Sequence, residues 1–173
     1  GYAIIDQGGV EFVLSAKPKQ EAVAEKHLRE QGVEVYLPLY RRRVKVKKDK
    51  LEVIAPLFPG YLFARFDLAA CYSQVRYTRG VKAILGSGDR VWTIADDKIT
   101  AIRARETDGL VQLRPKETVF HPGDPIRIDQ GAFDGWEGVF QEELPDQQRA
   151  LILLTNLHYS STMIVLKSYL TRP

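Results

Sequence analysis

The sequence predicts an α+β domain followed by a compact β domain. Strand-like segments alternate with amphipathic helical segments over residues 11–108, whereas residues 119–173 carry only short strand-like segments separated by turns. The stretch between them, residues 109–118, is polar, has no clear hydrophobic period and contains Pro115. We therefore interpret it as a linker between two domains.

The composition is that of an ordinary globular protein, since 45% of its 173 residues are hydrophobic and 27% are charged. A single cysteine, Cys71, excludes an intrachain disulfide framework and predicts a cytoplasmic protein. No apolar run approaches the roughly 18 to 20 residues of a membrane span, so no membrane association is expected.

The residue types that enzymes use for chemistry are thinly distributed. His27, His121 and His158 lack the spacing of metal ligands, and neither a glycine-rich phosphate loop nor a nucleophile elbow is recognisable. Neighbouring acids such as Asp96 and Asp97 point apart on a helix or strand, so they do not form a catalytic pair. We predict a protein that is not an enzyme and needs neither metal nor cofactor.

The first domain is predicted to open with a strand over residues 12–15 and a helix within residues 19–31. Apolar residues recur at helical spacing in the latter stretch, and Gly32 is the expected C-terminal stop. Residues 33–40 are rich in apolar and β-branched side chains, which predicts a second strand.

The segment RRRVKVKKDK, residues 41–50, holds seven basic residues and one acid. Its charge is +6 in a chain of net charge +3, so the remainder carries 3 minus 6, or −3. Val44 and Val46 alternate with lysines, which predicts a β-hairpin with its tip at Asp49-Lys50. Charge alone leaves two interpretations open, a phosphate-facing projection and a solvated loop.

Two prolines predict a turn over residues 56–60, and a strand follows to Phe66. Asp67 is predicted to be the N-cap of a helix over residues 68–76. A hairpin should follow, around Gly86–Asp89.

Thr93 and Asp96 have the spacing of a capping box, which predicts a third helix that runs to about Glu106. Beyond the linker, short strand-like segments within about 50 residues predict a small barrel. The predicted strands are residues 125–129, 137–141, 150–154 and 163–166.

Two motifs carry a family resemblance. PLFPGYLFARF at residues 56–66, ahead of TRGV at residues 78–81, resembles the signature region of the N-terminal domain of the NusG/RfaH family. GDPIRIDQGAFDGWEGVF at residues 123–140 resembles a KOW motif. The resemblance runs from Phe12 to the C-terminus and implies a NusG N-terminal-type domain, an antiparallel sheet flanked by helices, followed by a small KOW β-barrel.

The resemblance implies a monomeric transcription elongation or antitermination regulator that reduces pausing or termination. Its partners would be RNA polymerase, at the β′ clamp helices, and the non-template DNA strand. Rho or ribosomal protein S10 would be partners of the KOW domain. KOW-like barrels also occur in ribosomal proteins, so a KOW-containing RNA- or ribosome-binding protein is the alternative.

Residues 56–59 and 78–81 are more similar to the specialised RfaH branch than to the housekeeping branch, which usually has proline at the position of Arg79. Two features depart from RfaH. Glu11-Phe12 replaces an opening Trp-Tyr pair, and residues 71–73 replace the His-Thr-Thr element that reaches the polymerase β subunit. A contact with the β subunit is therefore left open.

Tyr61 and Phe63 are the candidate polymerase-binding residues. They are two residues apart on a predicted strand, so they lie on one face of it. The resemblance implies that this face forms part of an apolar depression that receives the clamp helices. The alternative is that both rings are simply core.

Lys17, His27, Thr78 and Arg79 match positions at which RfaH-like proteins contact the non-template strand. Lysine and arginine can neutralise phosphate, and a neutral histidine can stack or donate a hydrogen bond. For His27 the alternative is a half-buried helix residue. Further nucleic-acid-binding candidates come from the basic segment: Arg41, Arg42, Arg43, Lys45 and Lys47.

The C-terminal domain of RfaH can also fold as a helical hairpin that masks the polymerase-binding face. Gly131, Gly135 and Gly138 would each weaken a helix by about 1 kcal/mol relative to alanine, and residues 162–165 are rich in β-branched side chains. The apolar stripe of residues 151–154 together with Leu157 could equally line a helix. We expect the barrel, with the autoinhibited helical hairpin as the alternative.

Overall fold

A computed structural model describes residues 10–87, 90–113, 118–155 and 161–173. The chain folds into two compact units. The first contains the residues up to Pro38 together with Phe58–Thr100, and the second contains Leu39–Leu57 together with Ala101–Pro173. The sequence pattern predicted a single boundary within residues 109–118 and did not anticipate that the basic hairpin groups with the C-terminal residues.

The elements follow one another in a mixed order of helices and strands. In chain order they are β1 (Val10–Ala16), α1 (Glu21–Glu30), β2 (Glu34–Tyr36), β3 (Leu39–Val46), β4 (Asp49–Pro56), β5 (Tyr61–Arg65), α2 (Leu68–Arg76), β6 (Val81–Ile84), β7 (Gly86–Ser87), β8 (Arg90–Val91), β9 (Thr93–Ala95), α3 (Asp96–Arg103), β10 (Glu106–Thr107), β11 (Leu110–Val111), β12 (Pro125–Ile128), β13 (Glu137–Glu143), β14 (Arg149–Leu154), β15 (Ser161–Leu166), a short 3-10 helix (Lys167–Tyr169) and β16 (Leu170–Thr171).

The first unit is built on an antiparallel sheet with strand order β2-β5-β1-β6, and β9 also pairs with β1. The central strands are apolar on both faces, so Val13, Leu14, Leu62 and Phe63 are all fully buried. Strands covered on both faces lose the alternating pattern of a half-exposed sheet. This mixture of helices and antiparallel sheet confirms the predicted α+β class.

Of the two helix starts for which the sequence predicts a capping side chain, one is confirmed. The carboxylate of Asp67 accepts a hydrogen bond from the Ala70 N–H at 3.2 Å and caps α2 as predicted. The predicted capping box before α3 is wrong. Thr93 lies in β9, where it pairs with Phe12, and the helix begins at Asp96. A long-range backbone pairing therefore overrides the local capping signal.

The basic hairpin turns two residues earlier than predicted. Lys47 and Lys48 form the turn, with Lys47 at φ 57°, and Asp49 already pairs with Val46. This register places Leu51 directly opposite Val44, where the two branched side chains share one face of the ribbon.

Part of the predicted linker is ordered structure. β10 and β11 form an antiparallel ribbon in which Leu110 and Val111 are buried. Asp108 and Gly109 connect the strands with φ values of 53° and 78°, the left-handed pair that an Asp-Gly hairpin turn requires. This pairing also ends α3 at Arg103, ahead of the predicted Glu106. Residues 114–117 of the predicted linker lie outside the described residues.

The second unit contains an antiparallel sheet with strand order β15-β14-β13-β12-β16. β12 to β15 begin and end within two residues of the four predicted strands, whereas β16 was not predicted. The apolar stripe at residues 151–154 belongs to β14, where Ala150, Ile152 and Leu154 are buried in alternation. Gly138 lies so close to β14 that a Cβ there would come within 2.5 Å of the Leu153 carbonyl oxygen. The described residues of this segment therefore form strands and not a helical hairpin, although Leu157 lies outside them.

Asp146 organises the turn between β13 and β14. Its Oδ1 accepts the N–H groups of Gln148 at 3.0 Å and Arg149 at 3.1 Å, and its Oδ2 accepts the Arg149 Nε–H at 2.6 Å. Burial alone would raise the pKa of this carboxyl, but the hydrogen bonds from Arg149 and Gln148 outweigh it and lower the pKa below its ordinary value.

The lowered pKa of Asp146 predicts a specific acid sensitivity of the second unit. Its contribution to stability is present above the unfolded-state pKa of about 3.9 and is lost as the pH falls through the lower folded-state pKa. Asp146→Asn should lower the free energy of unfolding by about 2 kcal/mol at pH 7, where the charged hydrogen bonds are intact.

Urea denaturation of both proteins at neutral and acidic pH measures the difference, which should shrink as the pH falls below about 4. The matched control is Glu142→Gln, since Glu142 is exposed on β13 nearby. A difference that is the same at both pH values would show that the charge of Asp146 contributes nothing.

Candidate nucleic-acid interface

The end of β1 and the start of α1 together anchor two turns of the first unit. The N–H of Gly60 donates to the Glu21 carboxylate at 3.2 Å, and the carbonyl of Gly60 accepts from the Ala16 N–H at 2.8 Å. The carbonyl of Gly80 accepts from the Lys17 N–H, also at 2.8 Å. The turn before β5 and the turn before β6 therefore have a common support.

Gly80 makes the second of these contacts possible. Its φ is 88°, and a Cβ on it would lie 2.7 Å from the backbone nitrogen of Ala24 in α1. Ala24 is itself fully buried. Only a residue without a side chain can adopt this backbone conformation and approach the helix so closely.

Thr78 lies in the interior of this turn and not at its surface. Its side chain is 5% exposed. The hydroxyl donates to the Gln74 carbonyl at 2.7 Å and accepts from Gln31 Nε2 at 3.0 Å. The resemblance implied a nucleic-acid contact for Thr78, but these bonds give it a positioning role between α1 and α2.

The other predicted residues around this turn differ in accessibility. Arg79 and Lys17 are exposed, and the N–H of Lys17 donates to the carbonyl of Gly80, the residue after Arg79. His27 is half-buried on α1, with Nδ1 3.3 Å from the Glu30 carboxylate. This environment agrees with the alternative interpretation of His27, a half-buried helix residue.

Sequence reasoning missed Tyr77, which lies directly before Thr78. Its ring is 79% exposed, and the guanidinium carbon of Arg76 lies 5.2 Å from the ring centroid. The available signal was an aromatic residue between the end of a predicted helix and the TRGV motif. Nothing in the sequence distinguished it from a core residue.

Tyr61 and Phe63 have different environments although they share a strand face. Tyr61 is partly exposed and pairs with Ser15. Phe63 is fully buried, and its ring packs edge-on against Phe58 with centroids 6.0 Å apart. Of the two alternatives for Phe63, core and contact, the burial corresponds to core.

The basic hairpin in the second unit has two chemically different faces. Because side chains alternate along a strand, Arg41 and Arg43 lie on the face of β3 opposite to that of Val44 and Val46. Leu51 and Val46 are about half exposed. Arg41 lies 3.8 Å from Glu52, but both side chains are exposed, so this ion pair contributes little.

The predicted hairpin cations are not equally accessible. Arg41, Arg43 and Lys47 are exposed. Arg42 is half-buried, and its Nε is enclosed with no hydrogen-bond partner among the described residues. The side chain of Lys45 lies outside the described part of the chain.

The base of the hairpin is buried at Tyr40. Burial raises the pKa of the Tyr40 hydroxyl, and the positive charges of Arg149 and Arg42 offset this only in part. The hydroxyl is therefore neutral at physiological pH. Burial likewise raises the pKa of Tyr169 in the same unit.

Arg41 and Arg43 also line a cleft of about 840 Å³ within the second unit. Gln147, Gln148 and Lys167 form other parts of its lining. Lys167 forms an ion pair with Glu143, and Arg41 lies near Glu52, which also lines the cleft. A cationic and amide-lined surface of this kind can accept phosphate oxygens.

Two findings concern the described residues as a whole. No helix among them is long and apolar enough to cross a membrane. Within the same residues, no group of three or more histidine, cysteine, aspartate or glutamate side chains is arranged to hold a metal ion.

Comparison with known proteins places the chain among transcription factors. Residues 12–103 match the family described as "Transcription termination factor nusG". Because the match spans more than half of the 173 residues, the chain belongs to the NusG family. Members of this family are non-enzymatic transcription regulators, which confirms the prediction that the protein is not an enzyme.

Relatives match over different lengths. The transcription termination/antitermination protein NusG of Thermus thermophilus is 28% identical over 166 residues, covering 87% of this chain and 89% of the relative. NusG of Escherichia coli K12 is 33% identical over 87 residues, about half of each chain. A solved structure titled "Domain interaction in Thermotoga maritima NusG" is 20% identical, covers 95% of this chain and 97% of its own, and has a TM-score of 0.42. The closer similarity to RfaH stays a prediction.

The close approach at Gly80 predicts a large difference between two glycine substitutions. Gly32 has a similar φ of 82°, but a Cβ there meets nothing within 4 Å. Gly32→Ala should cost about 1 kcal/mol of unfolding free energy for the left-handed backbone alone. Gly80→Ala should cost about 3 kcal/mol, because the methyl group also displaces α1.

Chemical denaturation followed by circular dichroism measures both values. Equal losses for the two variants would show that the turn tolerates a methyl group and that its contact with α1 is not tight.

Proposed function

We propose that this chain is a transcription elongation and antitermination regulator that binds RNA polymerase at the clamp together with the non-template DNA strand. It reduces pausing or termination by binding and performs no chemistry. The observation that carries the proposal is that α1 contacts two turns in a NusG-family chain, one through Glu21 and the other through Ala24. One turn leads into Tyr61, and the other carries Arg79.

Tyr61 is the proposed polymerase contact. A tyrosine buries a large apolar area at low entropic cost, which suits an anchor in a protein interface. Phe63 supports the strand from within the core, where it packs on Phe58. The proposed receiving surface for the clamp helices is the face on which Tyr61 is partly exposed.

Arg79 and Lys17 are the proposed contacts to the non-template strand. Thr78 positions the turn that carries Arg79, because its hydroxyl is hydrogen-bonded to Gln74 in α2 and to Gln31. The exposed hairpin cations Arg41, Arg43 and Lys47 add a second phosphate-binding surface. Each cation that neutralises a phosphate releases counterions, so affinity falls as the salt concentration rises. Electrostatic attraction of this type supplies affinity without sequence specificity.

Population shift is the proposed mechanism. A factor that binds the closed clamp more tightly than the open clamp stabilises the elongating state by its differential affinity. A coupling free energy of about 1 to 3 kcal/mol suffices for a several-fold change in the fraction of paused complexes.

The C-terminal sheet is the proposed KOW barrel, with Rho or ribosomal protein S10 as its proposed partner. The strand order β15-β14-β13-β12-β16 and the close approach at Gly138 support a compact, strongly bent sheet. A specialised, RfaH-like role for the whole chain is part of the same proposal and rests on residues 56–59 and 78–81.

Tyr61→Ala should weaken binding to core RNA polymerase by about tenfold, because an anchor ring contributes more to the complex than to the free protein. Titration of labelled full chain with core polymerase measures this, and Tyr61→Phe, which keeps the ring, should bind nearly as the native protein does. A thermal melt of each variant reports on the fold. Unchanged affinity of Tyr61→Ala would show that Tyr61 does not belong to the interface. Binding of the native chain to ribosomal subunits instead of polymerase would favour the RNA- or ribosome-binding alternative.

Reversing charge on the hairpin should weaken association with polymerase–DNA elongation complexes most strongly at low salt. Screening weakens phosphate contacts, so the affinities of Arg43→Glu/Lys47→Glu and native protein should converge as ionic strength rises. The matched control is Lys26→Glu/Lys82→Glu, which changes exposed cations outside the hairpin and alters the net charge equally, from +3 to −1.

Salt titrations of the three proteins decide between a local and a global effect. If the control variant loses as much affinity as the hairpin variant, net charge alone accounts for the loss. Parallel curves for native and hairpin variant at all salt concentrations would show that the hairpin is only solvated.

A further inference from the structure

Tyr77 is held out of the core by a fixed backbone. Its N–H donates to the Ser73 carbonyl at 3.0 Å as the C-cap of α2. The next residue, Thr78, is locked by its hydrogen bonds to Gln74 and Gln31. With 79% of its surface accessible, Tyr77 is the most exposed large hydrophobic side chain among the described residues.

Arg76 lies against this ring, and two exposed cations, Arg79 and Lys17, belong to the backbone segments that adjoin it. The Arg76 guanidinium carbon lies 5.2 Å from its centroid, within cation–π range. Arg79 is exposed two residues further on, and the backbone of Lys17 is hydrogen-bonded to Gly80. The ring keeps most of its surface accessible even with Arg76 against it. A rigid aromatic surface among cations is the combination that proteins use to bind single-stranded nucleic acid.

The aromatic ring determines which part of a nucleotide fits this position. The face of a tyrosine ring stacks on a nucleobase and offers no hydrogen-bond donor to a phosphate. The exposed Arg79 follows Tyr77 by two residues, and the exposed Lys17 is hydrogen-bonded through its backbone to Gly80, so these two cations are the candidates to hold the phosphates of the same strand. Base faces in a duplex are covered by their neighbours, so an accessible base must come from a single strand.

We propose that Tyr77 stacks on an unpaired base of a single-stranded nucleic acid whose phosphates are held by Arg79 and Lys17. The inference rests on the proposed function, since the non-template strand of the transcription bubble is such a ligand. Stacking tolerates every base, so this contact fixes the position of the strand and leaves its sequence free.

The test uses the full chain and a fluorescein-labelled, mixed-sequence single-stranded DNA, with fluorescence anisotropy at several salt concentrations. Tyr77→Ala should weaken binding about tenfold, because one base–aromatic stack is lost. Its slope of log K against log salt should equal the native slope, because no charge is removed. Tyr77→Phe should bind as the native chain does.

Arg79→Ala serves as the contrasting variant. It should also weaken binding, but its salt slope should become shallower by about 0.7, the amount expected for one phosphate contact on a single strand. Tyr77 is so exposed that its truncation should leave the thermal melt of the protein unchanged.

The outcomes separate the inference from the proposed function. Native affinity of Tyr77→Ala together with weaker binding of Arg79→Ala would overturn the stacking role and leave the proposed function intact. Absence of binding by the native chain would overturn both the stacking role and the proposed DNA contact. If Tyr77→Ala binds DNA normally but loses affinity for core RNA polymerase, the ring is a protein contact and the inference is wrong.

Discussion

The close approach of the Gly80 backbone to α1 is the constraint on which the candidate surfaces of the first unit depend. Because Gly80 has no Cβ, its carbonyl reaches the Lys17 N–H and its Cα packs against Ala24. In the turn that this contact fixes, Thr78 is buried and Arg79 is exposed. The same helix binds the turn before β5 through Glu21, so a change in α1 would displace both turns at once.

The second unit presents concentrated positive charge on a structure that is weak in isolation. A two-stranded ribbon is marginally stable alone, and exposed ion pairs such as Arg41–Glu52 contribute little to it. The base of the ribbon compensates, because Tyr40 is almost completely buried there. Repulsion among the cations is small where they are most exposed to water, so the fold tolerates a segment of charge +6.

Local signals could predict local features, and long-range contacts account for the failures. Asp67 caps α2 through a bond to a residue three positions away, which a sequence shows directly. Thr93 fails as a cap because it pairs with the distant Phe12. The buried position of Thr78 depends on a hydrogen bond from Gln31, which is distant in sequence at the end of α1. The exposure of Tyr77 likewise depends on the tertiary packing around it and not on its neighbours in sequence. In contrast, the Asp-Gly turn after β10 is a local feature, since Asp108 and Gly109 adopt the left-handed backbone that this residue pair favours.

Placing two proposed contacts on one rigid support has an energetic consequence for the proposed function. Once Tyr61 is bound to polymerase, the turn that carries Arg79 is confined near the DNA, and its binding becomes effectively intramolecular. Contacts too weak to act alone can then contribute, since the loss of translational freedom occurs only once for the pair. Polymerase would thus determine recruitment, whereas the contacts at Arg79 and Tyr77 would determine how long the factor stays at a given position on the DNA.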